Sequence, residues 1–220
     1  MMEGRGEEDY EMNTGRKRTA IKLRGFAGAW NDDMERARIA RWKYSKSLDI
    51  ERELKRMMGP DAEFRGKQHE AMTAIMRGDP KVVSIMATGE GKSLLFMLPA
   101  ICVPGGLTIV VVPLISLRQD MMERCRAHGI TCVEWKNGRP ADDVSMVLVT
   151  PESAVGESFH TYLNRVKIRL DRIVIDECHV MLNDDPKFRK RMSKMGELMR
   201  AESQTILLTA TLPPSREAEL

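Results

Sequence analysis

The chain has little cysteine, and what it has is not arranged for metal. Cys102, Cys125, Cys132 and Cys178 form no Cys-x-x-Cys pair and have no histidine at ligand spacing, which argues against a zinc site. Three of the four sit in apolar surroundings, as expected of reduced thiols in an intracellular protein. No apolar run approaches the ~20 residues that a membrane span needs, so no membrane partner is expected. The first residues, MMEGRGEEDYEMNTGRKR, lack the apolar segment of a secretory signal. No internal repeat is present. Neither sign of charge dominates: 35 Lys and Arg face 32 Asp and Glu, for a net charge of +3. That balance is compatible with a polyanionic partner and equally with a mixed, solvated surface. Arg16, Lys17 and Arg18 suit nuclear import and equally suit a solvated tail; a nuclear location is expected.

A hydrophobic fraction of 42% supports a true core, and 220 residues allow one domain with an extension. Residues 1–28 mix Gly, Glu, Arg and Lys without apolar periodicity and read as a flexible arm. Over residues 29–60, Met34, Ile39, Trp42, Leu48, Ile50 and Leu54 recur among charges, predicting a charged helical extension of one or two surface helices. Asn31 or Asp32 is placed to cap the first, and Gly59 with Pro60 to stop the second.

From residue 61 the pattern changes. Strand-length runs rich in β-branched residues lie at 82–86, 107–112, 146–150, 173–175 and 205–208, with a further short strand expected around 130–135. Most are apolar at consecutive positions, which predicts burial on both faces. Helical stretches separate them at 92–98, 116–127, 152–166 and 188–201. This alternation predicts an α/β fold, a parallel sheet with helices on both faces and ligands at the carboxyl ends of the strands.

The segment MATGEGKS, residues 86–93, follows one strand and opens a helix, the setting a phosphate-binding loop requires. Gly89 and Gly91 let successive N–H groups, including those of Thr88 and Glu90, turn into one concavity. The helix expected from Lys92 adds its positive dipole end. Lys92 is placed to reach the β- and γ-phosphates of ATP and the Ser93 hydroxyl to ligate Mg²⁺. The strict pattern asks for Gly where Met86 stands, a departure that points away from small GTPases. Downstream, the strand of residues 172–175 ends in Asp176 and Glu177. Asp176 is expected to hold Mg²⁺ and Glu177 to orient and deprotonate water.

Asp176-Glu177-Cys178-His179 is a DExH box, and with the loop it resembles a superfamily 2 helicase. Further segments resemble RecQ-type DNA helicases in order: Phe64, Arg65 and Gln68; the loop MATGEGKSLLF; PLISL from Pro113 through Leu114 and Ser116 with Gln119; Thr150, Pro151 and Glu152; and Thr209, Ala210 and Thr211. The resemblance implies a RecA-like lobe over residues 61–220. It implies that Phe64, Arg65 and Gln68 frame adenine, and that the PLISL and Thr-Pro-Glu segments contact nucleic acid. It further implies that Thr209–Thr211 couples the nucleotide to the nucleic acid, with His179 linking Glu177 to it. DNA, single-stranded or at a duplex junction, is the implied partner, with 3′-to-5′ polarity, and RNA the lesser one.

Two departures from RecQ helicases bear on activity. Residues 180–189 lack the tryptophan of the aromatic-rich loop that senses DNA, where stacking contributes on the order of 1–3 kcal/mol per base. The sequence given reaches only Leu220, whereas the family binds ATP between two RecA-like lobes. The second lobe supplies arginine fingers, each able to contribute ~10³–10⁵ in rate. The isolated chain is therefore expected to bind nucleotide weakly and not to unwind duplexes, as a truncated gene product or a fragment. The alternatives are a non-catalytic nucleotide- or nucleic-acid-binding module and a DExH ATPase acting on RNA. The basic run Lys187, Arg189, Lys190, Arg191 and Lys194 is read as a solvated helix face in preference to a nucleic-acid path. His69, His128 and His160 are read as ordinary packing or surface residues.

Overall fold

The computed structural model describes residues 32–113, 115–136, 143–178 and 203–211. The expected arm of residues 1–28, the helix at 188–201, the loop at 180–189, the basic run, His179 and Leu114 lie outside the described residues. A six-stranded sheet forms the centre, in the order β1-β6-β5-β2-β4-β3 and parallel at every pairing. Its strands are β1 (Lys81–Ile85), β2 (Leu107–Val111), β3 (Cys132–Glu134), β4 (Met146–Val149), β5 (Leu170–Ile175) and β6 (Gln204–Thr209). The helices are α1 (32–47), α2 (Ile50–Met58), α3 (Gln68–Arg77), α4 (Leu94–Cys102), α5 (Ile115–Ala127), α6 (Pro151–Ala154) and α7 (Glu157–Val166).

Each face of the sheet carries its own core. On one side Leu54 of α2, Met72 and Ile75 of α3, Phe96 of α4 and Cys125 of α5 pack over Val82, Val110, Leu148, Val174 and Ile206. On the other, Phe159, Tyr162 and Leu163 of α7 cover Ile109, Val147, Ile173 and Leu207 with Trp135. Parallel strands buried on both faces explain the unbroken apolar runs of β2, β4, β5 and β6. β1 departs from that expectation. It lies at the end of the sheet, and Val83 and Ile85 are 43% and 42% exposed, because the described helices on that face lie over the neighbouring strands.

Three helices differ from their sequence patterns. α3 went unrecognised, although Ala71, Met72, Ile75 and Met76 mark one buried face and the left-handed Gly78 (φ 83°) ends it. α4 continues through Pro99 to Cys102. An interior proline costs about 3 kcal/mol, offset here because almost the whole helix is buried between neighbours. The stretch at 152–166 is two helices. Gly156 takes an extended conformation (ψ 146°) that interrupts it, and Thr150 caps the first piece by accepting the Ser153 N–H at 3.2 Å.

The helical extension is tied into the lobe. The Asp49 side chain caps α2 through the Glu51 and Arg52 N–H groups, both at 3.1 Å, and Gly59 (φ 111°) ends it. Arg41 forks onto Asp171 at the start of β5 and donates to the Ile168 carbonyl at 2.8 Å. Trp42 lies over the buried Arg172 guanidinium, 5.1 Å from the ring centre. Burial, only partly countered by Asp171, pushes the Arg172 pKa down to about 10. All four cysteines are free thiols, with Cys132 half-buried and the others buried. No described helix is long and apolar enough to cross a membrane.

Candidate active site

Because every ladder is parallel, the strands finish on one edge of the sheet, and the sequence motifs collect there. β1 runs into residues 86–93, β5 into Asp176, β6 into Ala210, β4 into Thr150 and β2 towards Pro113. Register aligns these ends: Ile85 pairs with Thr209, Leu207 with Ile175, and Val111 with both Ile175 and Val149. Backbone bonds carry the ladder one step further. Met86 N–H donates to the Thr209 carbonyl at 2.9 Å and Asp176 N–H to the Val111 carbonyl at 3.0 Å.

In the loop, Gly89 (φ 89°) and Gly91 (φ 77°) occupy left-handed backbone that only glycine takes without strain. Gly91 is constrained a second time, since a Cβ there would meet Gln68 Nε2 at 2.7 Å. The helix expected from Lys92 begins instead at Leu94. Lys92 and Ser93 form a tight turn in which the Leu94 and Leu95 N–H groups donate to carbonyls three residues back, both at 3.0 Å. The Ser93 side chain makes no capping hydrogen bond.

Lys92 Nζ lies 2.9 Å from Glu177 Oε1 and 3.3 Å from the Met86 carbonyl oxygen. The pair is largely enclosed, with side chains 11% and 19% exposed. The second oxygen of Glu177 accepts the Ala210 N–H at 3.3 Å. One carboxylate therefore spans from the loop lysine to the segment after β6. Glu177 is held at φ 51°, the one positive φ of a non-glycine residue among those described. Such a conformation costs of order 1–3 kcal/mol and persists where the surroundings impose it. Its own N–H is taken by Asp176 Oδ1 at 3.0 Å. The thiol of Cys178 is pushed up to about 11 by burial, then by the charges of Glu177 and Asp176.

Gln68 is buried and spans a second gap. Its Oε1 accepts the Arg65 N–H at 2.8 Å, and its Nε2 donates to the Glu90 carbonyl at 2.7 Å. Phe64 is half-buried, edge-on to His69, and Arg65 is exposed. Phe64, Arg65 and Gln68 line a cavity of about 900 Å³ together with Gly89, Glu90, Gly91, Ser93 and the apolar Leu54, Met57 and Met97. His128, read from sequence as an ordinary residue, stands in its wall.

Residues 65–220 match the family of DEAD/DEAH box helicases. The chain belongs to that family. It is 31% identical over 199 residues to rat ATP-dependent DNA helicase Q5, covering 80% of this chain and 20% of that protein. It is 32% identical over 162 residues to Haemophilus influenzae ATP-dependent DNA helicase RecQ, covering 67% and 26%. The chain thus spans about a fifth to a quarter of these relatives' length. In fold it is similar to a variant of S. cerevisiae Dbp5 bound to RNA and ADP BeF3, with TM-score 0.58 and 17% identity over 79% of this chain and 47% of that one. What it carries is a DEAD/DEAH box helicase domain over residues 65–220.

On this DEAD/DEAH box lobe the remaining candidates share the same edge with different surroundings. Pro113 is half-buried, Gln119 is exposed on α5 with its amide 3.4 Å from Glu123, and the side chain of Ser116 lies outside what is described. Pro151 is buried and Glu152 exposed in the first turn of α6, while the Thr150 hydroxyl is engaged in its cap. The Thr209 hydroxyl donates to the Thr211 carbonyl at 2.8 Å, folding that segment back on itself. No group of three or more His, Cys, Asp or Glu able to hold a metal occurs among the described residues. A divalent cation here would take oxygens from its nucleotide, as magnesium does when it uses one or two protein ligands. Ser93 and Asp176 fit that sparse, all-oxygen set.

Sequence reasoning missed two contacts. The Ala210 amide on Glu177 is backbone chemistry with no residue signature. The Glu90 carboxylate accepts the Ala87 N–H at 2.7 Å, a contact whose one signal was an acid between two loop glycines.

Proposed function

We propose that this lobe binds Mg²⁺-ATP and serves, with a second RecA-like lobe closing over the nucleotide, in ATP-driven unwinding of DNA with 3′-to-5′ polarity in the nucleus. The supporting observation is the reach of Glu177 from Lys92 to Ala210. Phe64, Arg65 and Gln68 frame adenine, and the N–H groups of residues 88–93 receive the phosphates. Lys92 takes the β- and γ-phosphates, and Ser93 and Asp176 hold the cation, which supplies neutralising charge on the phosphate oxygens.

In this reading Lys92 is held against Glu177. An arriving triphosphate offers the ammonium a denser negative charge, so Lys92 transfers to it and releases the carboxylate. Glu177 then orients the attacking water and accepts its proton. The Ala210 contact links that release to the segment Thr209–Thr211, with His179 as a further link. Pro113, Leu114, Ser116, Gln119, Thr150, Pro151 and Glu152 form the single-strand or junction contact along the same edge. DNA is favoured over RNA because the relatives aligned over most of the chain are named DNA helicases.

The test joins the chain to the second lobe of a related helicase and follows phosphate release with and without single-stranded DNA. Lys92→Ala should abolish nucleotide binding. Glu177→Gln should keep binding and lower turnover by ~10²-fold or more, the scale for a positioned general base. Unchanged turnover in both variants would remove the reading.

A further inference from the structure

Glu90 places a carboxylate in a loop whose ligand is a polyanion, which on charge alone should weaken binding. The geometry shows what the side chain does there. Its Oε2 accepts the Ala87 N–H at 2.7 Å, while its own N–H donates to the Ala87 carbonyl at 3.2 Å. These two bonds close a ring across the loop, from its second residue to the one before Gly91. The Glu90 carbonyl is fixed from the opposite direction by Gln68, which is buried and anchored to the Arg65 N–H. Residue 90 is therefore pinned through its side chain, its N–H and its carbonyl, between two glycines in left-handed backbone.

We propose that Glu90 is a positioning residue that braces the phosphate loop in its concave form before a nucleotide arrives. The brace lowers the ordering cost of binding, at the expense of a negative charge beside the triphosphate. The proposal rests on the nucleotide-binding reading above and assigns the Glu90 side chain a role distinct from phosphate contact. Reach and charge are separable by substitution. Glutamine retains an oxygen acceptor at the same reach without the charge, aspartate keeps the charge but is one methylene shorter, and alanine lacks both.

Binding of the fluorescent probe mant-ATP with Mg²⁺ to the full chain, at low and high salt, provides the test. Glu90→Ala and Glu90→Asp should raise Kd by ~3–10-fold, the equivalent of about one hydrogen bond. Glu90→Gln should bind as tightly as the parent or up to ~3-fold more tightly at low salt, an advantage that shrinks as salt screens the charge. Weakening in Glu90→Ala with rescue by glutamine marks the brace, since loss of a merely repulsive charge would tighten binding in both Glu90→Ala and Glu90→Gln and leave Glu90→Asp like the parent. Equal affinities of parent, Glu90→Ala and Glu90→Gln, with binding still lost in Lys92→Ala, would overturn the brace while leaving the nucleotide site intact. No binding by the parent chain would overturn both.

Discussion

Arg41 of α1 and Asp171 at the start of β5 meet at 2.9 Å, with side chains 12% and 3% exposed. Asp171 also fills the space beside Gly106, where a Cβ would stand 1.9 Å from Oδ2. Removing one member of an enclosed pair strands the other's charge. Arg41→Met should therefore destabilise the chain by about 3 kcal/mol, and the double change with Asp171→Asn should cost less than the single one. Urea unfolding of the three proteins measures both quantities.

The thiol of Cys102 faces the Glu53 carboxylate at 3.5 Å, and burial followed by that charge pushes its pKa from an ordinary 9.0 up to about 12. The unfolded chain, whose thiol keeps the ordinary value, loses its proton first as pH rises. The contribution of this thiol to stability is thus complete below pH 9 and is lost as pH climbs towards 12. Melting temperatures at pH 8, 9, 10 and 11 should fall more steeply for the parent than for Cys102→Ala. The same shift predicts slow alkylation of native Cys102 by iodoacetamide at pH 8.

Thr150 is proposed above to face nucleic acid, yet its hydroxyl already caps α6. Thr150→Ala should cost about 1 kcal/mol of stability, and Thr150→Ser should restore it. If the segment contacts DNA by presenting α6, both variants should retain the parent's dependence of DNA affinity on salt concentration. A changed salt slope in Thr150→Ser would indicate that the side chain itself takes part.

The sheet was legible because β2, β4, β5 and β6 carry consecutive β-branched and aliphatic residues, which only a doubly buried strand requires. The end strand β1 looked the same in sequence, since exposure of Val83 and Ile85 depends on what covers them. Lys92 and Glu177 could be read as belonging together because each sits in a short motif. Their direct contact could not, because it depends on the register that brings strands β1, β6 and β5 side by side. Arg41 and Asp171 lie 130 residues apart in unremarked surroundings, and nothing local to either predicts the partner. Helix boundaries failed where one residue decided them: Gly156 splits a continuous amphipathic pattern, and packing carries α4 past Pro99.

Among the described strands, β1 is bonded along one side only, to β6. The loop of residues 86–93 therefore hangs from a single seam, closed at its working end by the Met86 to Thr209 bond, whereas β6 is held by β5 as well. Opening that seam would release the loop and leave the segment after β6 on β5. Deuterium uptake by the amides of 82–86 should accordingly exceed that of 205–209, and slow when a triphosphate is added.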